Sequence, residues 1–212
     1  FVDENGVTIS KKDDYHYGDK ITLPENPTKE GNAEYTYTFE GWTSGSEDVV
    51  DLENKTVSEN VKYTAKFSKT KNKYTVTFYD EDKITKLGES TVDYGTEATI
   101  TNPTKEDKNG YTYLFEKWTS ETGEEDDLSN VIADRNVYAK FKQTPIVYNI
   151  EYINTLGVDN SKNPTTYTVE DGNITLQPLN SEEGMTFEGW YTSETYETEI
   201  KSIVTSQLGN IK

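Results

Sequence analysis

The chain has 212 residues, no cysteine, and 39 acidic against 21 basic side chains, which give a formal net charge of −18. Phosphate backbones and anionic lipids repel so acidic a surface, so neither nucleic-acid binding nor membrane insertion is expected. Without cysteine there are no disulfides, thiol nucleophiles or thiolate metal sites. No apolar run approaches the roughly 20 residues that cross a membrane.

The motif Phe-Glu-x-Trp divides the chain into three tandem modules. It contains the only three tryptophans, Trp42, Trp118 and Trp190, which lie 76 and 72 residues apart. Self-similarity at such a period is the signature of a repeat protein rather than of one large domain. We therefore predict repeat one over residues 1–70, repeat two over 71–145 and repeat three over 146–212.

Repeat one is expected to be truncated at its N-terminal end. Phe1 matches Phe78, which lies in the middle of the opening strand of repeat two, and the five residues Asn26–Glu30 recur unchanged as Asn102–Glu106. We expect the natural protein to continue before Phe1. The closing strand of repeat one, at 61–67, should then have an under-paired edge.

Repeat two shows the complete pattern. Tyr74, Val76 and Phe78 alternate with polar residues, which predicts a half-buried strand at 73–79. Further strands are expected at residues 90–94, 111–118 and 136–142. Two short linkers, too short for independent tumbling of the repeats, are expected at 69–73 and 142–145.

Repeat three has diverged and is expected to be truncated at its C-terminal end. Tyr148, Ile150 and Tyr152 repeat the opening strand, but no equivalent of the Ala139–Phe141 strand precedes Lys212. An unpaired strand edge is a liability, so we expect the natural protein to continue here as well.

These patterns resemble the Listeria–Bacteroides repeat, the B repeat of internalin B and of many bacterial surface proteins, over essentially the whole chain. The residues that carry the resemblance are Tyr74-x-Val76-x-Phe78, Tyr94-Gly95, Asn102–Glu106, Tyr113-x-Phe115-x-x-Trp118, Tyr138–Phe141 and, in repeat three, Gly184–Tyr191. One departure is Asp80–Lys83, where the family often has a Gly-Gly turn. The resemblance implies an α+β, mostly β fold: a tandem array of three small β-grasp-like, ubiquitin-like modules.

The resemblance also implies a non-enzymatic part of a secreted or cell-wall-attached bacterial protein, with other domains flanking the repeats. We expect a spacer and adhesion module that makes weak multivalent contacts with a host or bacterial surface protein or glycan, and with neighbouring repeats of the same chain. A carbohydrate-binding accessory region of a secreted enzyme is the alternative. No cofactor and no catalytic residue is expected, because a repeated pattern does not build one unique polar constellation.

The aromatic residues of the motif are predicted to be structural, because every repeat uses the same positions. They are Trp42, Trp118, Trp190, Phe39, Phe115 and Phe187. Tyr191 and Tyr196 are the candidate binding residues, since repeats one and two have threonine at the Tyr191 position and the shared fold does not need that tyrosine. They could form a sugar-stacking platform, and edge packing or an inter-repeat contact is the competing interpretation.

Two polar features are interpreted as solvated surface. His16, the only histidine, has Asp93 as its equivalent in repeat two and lacks the partners of a catalytic triad or zinc site. The acidic run Glu121–Asp127, with a counterpart at Glu47–Asp51, lacks the order of an EF-hand loop. A hydrated loop is therefore favoured over a calcium site.

Overall fold

The computed structural model describes residues 1–46, 48–181 and 183–212. Over these residues the chain is all-β, which confirms the prediction of a mostly β protein. The strands are β1 (Tyr35–Thr43), β2 (Thr64–Lys71), β3 (Lys73–Tyr79), β4 (Lys86–Asp93), β5 (Tyr111–Thr119), β6 (Arg135–Pro145), β7 (Tyr148–Asn149), β8 (Thr166–Tyr167), β9 (Ile174–Thr175), β10 (Trp190–Tyr191), β11 (Glu199–Ile200) and β12 (Ser202–Ile203). In the part of the chain described, no helix is long and apolar enough to cross a membrane.

The helical part of the predicted α+β fold is wrong for the described residues, none of which is helical. The long connection between β4 and β5 in repeat two shows why. Pro103 interrupts it, and proline lacks the backbone N–H that a helix interior needs. The flanking threonines, asparagines and glycines have low helix propensity. The connection therefore runs as irregular backbone with isolated bridges.

The chain forms two compact units, each described here by itself. The first unit comprises Phe1–Phe78, Lys86–Ile100 and Asp126–Val137. The second comprises Tyr79–Thr85, Thr101–Glu125 and Tyr138–Lys212. These boundaries run through repeat two and differ from the repeat boundaries read from the sequence, which remain a prediction.

In the first unit, the tryptophan strand β1 pairs antiparallel with β2, the closing strand of repeat one. The register runs from Tyr35 opposite Lys71 to Thr43 opposite Thr64. A bulge between Phe39 and Gly41 shifts the register by one residue. Because of this shift Phe39 and Trp42, three residues apart, both lie on the core face. The core of repeat one consists of Trp42, Leu52, Tyr63 and Ala65, with Phe1, Ile21, Phe39, Val50 and Phe67 packed against it.

In the second unit, β5 and residues 138–145 of β6 repeat the same ladder. Phe115 lies opposite Phe141 and Trp118 opposite Ala139, with a bulge between Phe115 and Lys117. The first unit has the matching pairs in repeat one, Phe39 opposite Phe67 and Trp42 opposite Ala65. The two repeats therefore share side-chain packing down to individual pairs, as their sequence identity predicts.

Repeat three, also in the second unit, is built from short strand pairs, β7 with β8, β9 with β12, and β10 with β11. Its core contains Ile150, Tyr167, Leu176 and Ile203. Tyr167 is fully buried, and its one hydroxyl hydrogen is shared between the backbone oxygens of Gln207 and Gly209, which lie 2.8 and 2.6 Å from the phenol oxygen. This hydrogen bonding of a buried phenol holds the C-terminal segment against the core.

The two segments predicted as linkers, 69–73 and 142–145, lie mostly in strands, so the linker prediction is wrong. Residues 69–71 belong to β2, residue 73 begins β3, and residues 142–145 belong to β6. The lysines and threonines of these segments suggested solvent-exposed linkers. Strand pairing, however, uses backbone hydrogen bonds and does not require apolar side chains. The pairs Tyr35–Lys71 and Tyr111–Pro145 extend both ladders to the end of the repeat.

Candidate functional site: inter-repeat joints and an aromatic cavity

The predicted structural aromatic residues cluster in all three repeats. The phenylalanine and tryptophan of the motif lie with ring centroids 5.3 Å apart in repeat one and 5.2 Å apart in repeats two and three. Trp42 and Trp118 are 4% and 7% exposed, whereas Trp190 is only half-buried. Their contribution to stability remains a prediction, and repeat three differs from the others in leaving its tryptophan accessible.

A lysine clamp occurs in both repeats that carry the Asn-Pro-Thr-Lys-Glu sequence. Lys29 Nζ lies 4.0 Å from the ring centroid of Tyr37 and 2.5 Å from Glu4 Oε1. Lys105 is placed in the same way, 4.5 Å from the Tyr113 ring and ion-paired with Glu81. Sequence reasoning used this motif only for alignment. The equal spacing from Lys29 to Tyr37 and from Lys105 to Tyr113 was the signal for the clamp, whereas the spacing to the acidic residue is 25 residues in repeat one and 24 in repeat two.

The first joint, where repeat one meets repeat two, centres on Asn72 and lies within the first unit. The Asn72 backbone N–H donates to Glu34 O at 2.9 Å. Its side-chain amide donates to Asn32 O at 2.8 Å and to Ala33 O at 3.1 Å. Tyr74, already in repeat two, donates its hydroxyl hydrogen to Ala33 O at 2.6 Å. A residue between the repeats is thus bonded to the loop of the preceding one.

The second joint, between repeats two and three, lies within the second unit and uses the equivalent bond. The Ile146 N–H donates to Gly110 O at 2.8 Å. Gly110 has a φ of 81°, and a Cβ added there would collide with Val169 and approach Leu208 to 3.1 Å. Only glycine permits this backbone conformation together with this close approach between the repeats.

Tyr111 adds a polar contact at the second joint. Its hydroxyl donates to Glu170 Oε1 over 3.1 Å. Desolvation raises the pKa of Tyr111 above its usual value, and the hydrogen bond to Glu170 and the charge of that carboxylate raise it further. The phenol therefore stays protonated at neutral pH and continues to donate across the joint.

Tyr191 and Tyr196, the two predicted binding residues, are brought together in repeat three. Their ring centroids are 5.3 Å apart in an edge-to-face arrangement, and Tyr196 is 59% exposed. Both line a cavity of about 560 Å³, a volume in the range of small-molecule sites. Whether they bind a ligand remains a prediction.

The cavity wall is mainly aromatic and aliphatic. The Tyr152 and Trp190 rings lie 4.9 Å apart, and Phe187, Met185 and Leu156 complete one side of the wall. Burial raises the pKa of Tyr152 above its usual value. The Trp190 indole N–H donates a hydrogen bond to Gln177 O at 2.9 Å. This wall therefore offers a ligand apolar contact more than hydrogen bonds.

The polar candidates do not assemble into a chemical site. The side chain of His16 is 89% exposed, and its Nδ1 lies 3.7 Å from Asp19. Within the acidic run, Glu125 pairs with Lys117 and Asp126 with Arg135. Among the described residues no group of three histidine or acidic side chains could hold a metal ion. Glu47 of the counterpart loop lies outside the described residues.

The ladder shared by repeats one and two, together with equivalent joints at both repeat boundaries, defines a tandem-repeat protein. The chain belongs to the Listeria-Bacteroides repeat domain family, which matches residues 1–66, 74–140 and 148–211. Members of this family are typical of bacterial surface proteins, and the repeat is generally non-catalytic.

Two relatives come from Evansella cellulosilytica. One, described as a "Putative Gly-rich membrane protein", is 28% identical over 95% of this chain and 23% of its own length. The other, described as a "Putative membrane protein", is 28% identical over 92% of this chain and 27% of its own length. The chain thus spans about a quarter of each relative. No solved structure gives a significant match.

Proposed function

We propose that this chain is a non-enzymatic spacer and adhesion region of a bacterial surface protein, located outside the cell. The observation that carries the proposal is one backbone hydrogen bond that recurs at both joints, from Asn72 to Glu34 and from Ile146 to Gly110. In a repeat protein, stability depends on such interfaces between neighbours. A recurring joint suits a spacer that projects a distal domain, whereas an enzyme needs a single distinct site.

The adhesion half of the proposal rests on repetition and surface chemistry. The tryptophan strands of repeats one and two present alternate residues to solvent in nearly the same pattern, so weak contacts of these repeats with a surface protein or glycan would add through avidity, by roughly 10²–10⁴-fold. The formal charge of −18 disfavours nucleic acids and anionic membranes as partners. The relatives' descriptions as membrane proteins are consistent with a cell-envelope setting.

The adhesion half is tested by presenting the fluorescently labelled chain on beads to epithelial cells and to a glycan array, beside the same chain in monomeric form. Saturable binding that is much stronger for the bead-bound chain supports multivalent adhesion. Absence of binding in both formats would contradict the proposed adhesion function and would not bear on the proposed spacer function. Strong monomeric binding points instead to one dedicated site.

The second candidate function, carbohydrate binding in support of a secreted enzyme, is favoured by the aromatic cavity of repeat three. The exposed Tyr196, the half-buried Tyr191 and the half-buried Trp190 form a surface on which a sugar ring can stack. Titration with the best glycan from the array should quench tryptophan fluorescence, and Tyr191→Ala should abolish the quenching. Tyr17→Ala is the matched control, because Tyr17 is 87% exposed and lies in repeat one.

The β-grasp-like character of each module is part of the same proposal. It is supported by the family resemblance and by the shared β-ladder, and the described residues contribute no helix to it. A solved structure of the chain tests it directly through strand order and connectivity.

A further inference from the structure

The opening and closing segments of a repeat lie side by side and run in the same direction. In repeat one, the Val2 N–H donates to Tyr63 O and Val2 O accepts the Ala65 N–H, both at 2.9 Å. Ile211 of repeat three makes the same two kinds of bond with the opening segment of that repeat, at 2.9 and 2.8 Å. One residue bonded to two partners that are two positions apart is the pattern of a parallel ladder, and both contacts are parallel bridges.

Repeat two has the same arrangement with full strands, since β3 and β6 are neighbours in one sheet. In the first unit the Thr75 N–H donates to Asp134 Oδ1 at 2.7 Å, and in the second unit the rings of Tyr79 and Tyr138 stack with centroids 5.7 Å apart. Both contacts join residues that are 59 positions apart in the sequence. A constant separation means that β3 and β6 run in the same direction, as the corresponding segments of the other two repeats do.

The side chains of β3 and β6 are packed into the core as well. Val76 and Phe78 of β3 and Val137 of β6 are 0% exposed. Because a protein interior is close-packed, sliding β3 along β6 would displace these side chains and break the backbone bonds between the strands at the same time. Relative movement along the strand direction is therefore the movement that this pair resists most.

The two connections of repeat two determine how a pull on the chain loads β3 and β6. The chain enters the repeat at Lys73, the first residue of β3, and leaves it at Pro145, the last residue of β6. In a parallel pair these two points lie at opposite ends. A pull on the chain therefore drives the strands past each other along their length, and the bonds between them carry the load together. In an antiparallel hairpin the two points lie at the same end, and the bonds would open one after another.

We propose that β3 and β6 form a force-bearing pair that keeps repeat two folded when tension acts along the chain. The bond from Thr75 to Asp134 reinforces the pair near the end where the load enters β3. Repeat three has the equivalent bond, in which Asn210 Oδ1 accepts the Asn149 N–H at 2.9 Å. A force-bearing pair deepens the spacer half of the proposed function, on which its role rests, because a region that projects a distal domain must keep its length under tension.

The test pulls single molecules of the whole chain in an optical trap, with handles attached in two geometries. In the first geometry the handles are on Lys71→Cys and Val147→Cys, which flank β3 and β6 at opposite ends of the pair. In the second they are on Lys71→Cys and Ala133→Cys, which lie at the same end. All three positions are exposed, and the native chain has no cysteine that could attach elsewhere. Thermal unfolding checks that the two variants are equally stable.

At the same loading rate, we expect repeat two to unfold in the first geometry at a force about twofold or more higher than in the second, because forced unfolding reports the barrier along the direction of pulling. Equal forces in the two geometries, or a higher force in the second, would overturn the proposal. Equal forces in a chain whose joints still hold neighbouring repeats in fixed positions would leave a spacer without a force-bearing pair. Failure of the pair is therefore distinguishable from failure of the proposed spacer function.

The role of Asp134 is tested in the first geometry. Asp134→Ala removes the acceptor of the Thr75 N–H and should lower the unfolding force, whereas Asp134→Asn should keep most of it, because an amide oxygen accepts the equivalent bond in repeat three. Native tryptophan emission shows that each variant is folded before it is pulled. An unchanged force in folded Asp134→Ala, or an equal loss in Asp134→Asn, would overturn the reinforcing role of this side chain.

Discussion

At the scale of single residues, the lysine clamp gives the lysine of Asn-Pro-Thr-Lys-Glu the same role in repeats one and two. The lysine covers a tyrosine ring of the tryptophan strand and pairs with an acidic residue in the turn after the opening strand. The lysine therefore holds the irregular segment that carries it against both the tryptophan strand and the turn after the opening strand. Lys29 and Lys105 are 30% and 27% exposed in their side chains, so solvent screens the ion pair but only partly screens the contact with the ring.

Lys105→Ala should lower the free energy of unfolding by about 1 kcal/mol, the combined scale of a cation–π contact and a partly exposed ion pair. Urea denaturation followed by tryptophan fluorescence measures the change. Lys105→Arg should retain most of the stability, since a guanidinium can stack on Tyr113 and pair with Glu81. The matched surface control, Lys108→Ala, removes an exposed lysine from the same connection. A loss as large in that control would contradict the clamp.

Tyr111 gives the second joint a dependence on alkaline pH. Its pKa in the folded chain lies above the usual value of 10.0, so the folded state holds this proton more tightly than the unfolded state. The contribution is complete below pH 10 and is lost as the pH rises through the higher folded value. Thermal unfolding between pH 8 and 11 should show a steeper decline for the native chain than for Tyr111→Phe. Parallel curves for the two proteins would contradict this role.

At the scale of elements, the bulge in the tryptophan strand sets which side chains reach the core. It lies between Phe39 and Gly41 in repeat one and between Phe115 and Lys117 in repeat two. Gly41 has a φ of 145°, and a Cβ there would collide with Val49, whereas repeat two has a lysine at this position without positive φ. The same bulge is thus built with two different backbone conformations.

Gly41→Ala should therefore destabilise repeat one by about 1–3 kcal/mol, the scale of a strained non-glycine residue. Lys117→Ala, at the equivalent position of repeat two, should cost only its exposed ion pair with Glu125, about 0–1 kcal/mol. Thermal unfolding of the two variants makes the comparison. Equal destabilisation would show that the bulge, rather than the glycine conformation, sets the cost.

The strands were the part of the fold that the sequence could predict. Alternation of aromatic and polar residues located β3 at 73–79 with the correct ends, and the tyrosine pair of repeat three was singled out before its rings were seen to touch. The joints were missed because Asn72 and Gly110 act through backbone oxygens and close approach, which leave no periodic signal. The cavity was missed because its wall is assembled from separate parts of repeat three, among them Tyr152, Phe187 and Trp190, which no single sequence pattern brings together.

At the scale of the whole molecule, the account rests on joints that recur between repeats. Each joint combines one shared backbone bond with contacts of its own, the amide of Asn72 at the first and the packing of Gly110 at the second. Because these contacts are local, each should hold its two repeats independently of the other. Joints of this kind would fix neighbouring repeats through short, specific contacts, as the proposed spacer requires.

Gly110→Val should open the second joint without unfolding its repeats. The added side chain meets Val169 and Leu208 and is strained at a φ of 81°. Loss of the Ile146 bond and of the packing should release the two repeats from each other, while the cores around Trp118 and Tyr167 are not touched directly. Tryptophan emission should stay close to that of the native chain. A large red shift would mean that the variant unfolds a repeat instead.

The most direct test of the central claim is a pulsed electron–electron distance measurement across the second joint, with spin labels on Thr122→Cys and Lys162→Cys. The native chain has no cysteine, so these two exposed sites are the only ones labelled. The account predicts one narrow distance distribution that broadens severalfold in Gly110→Val. A distance distribution that is already broad in the native chain and unchanged in Gly110→Val would mean that the joint does not fix the two repeats relative to each other. That result would contradict the proposed spacer function.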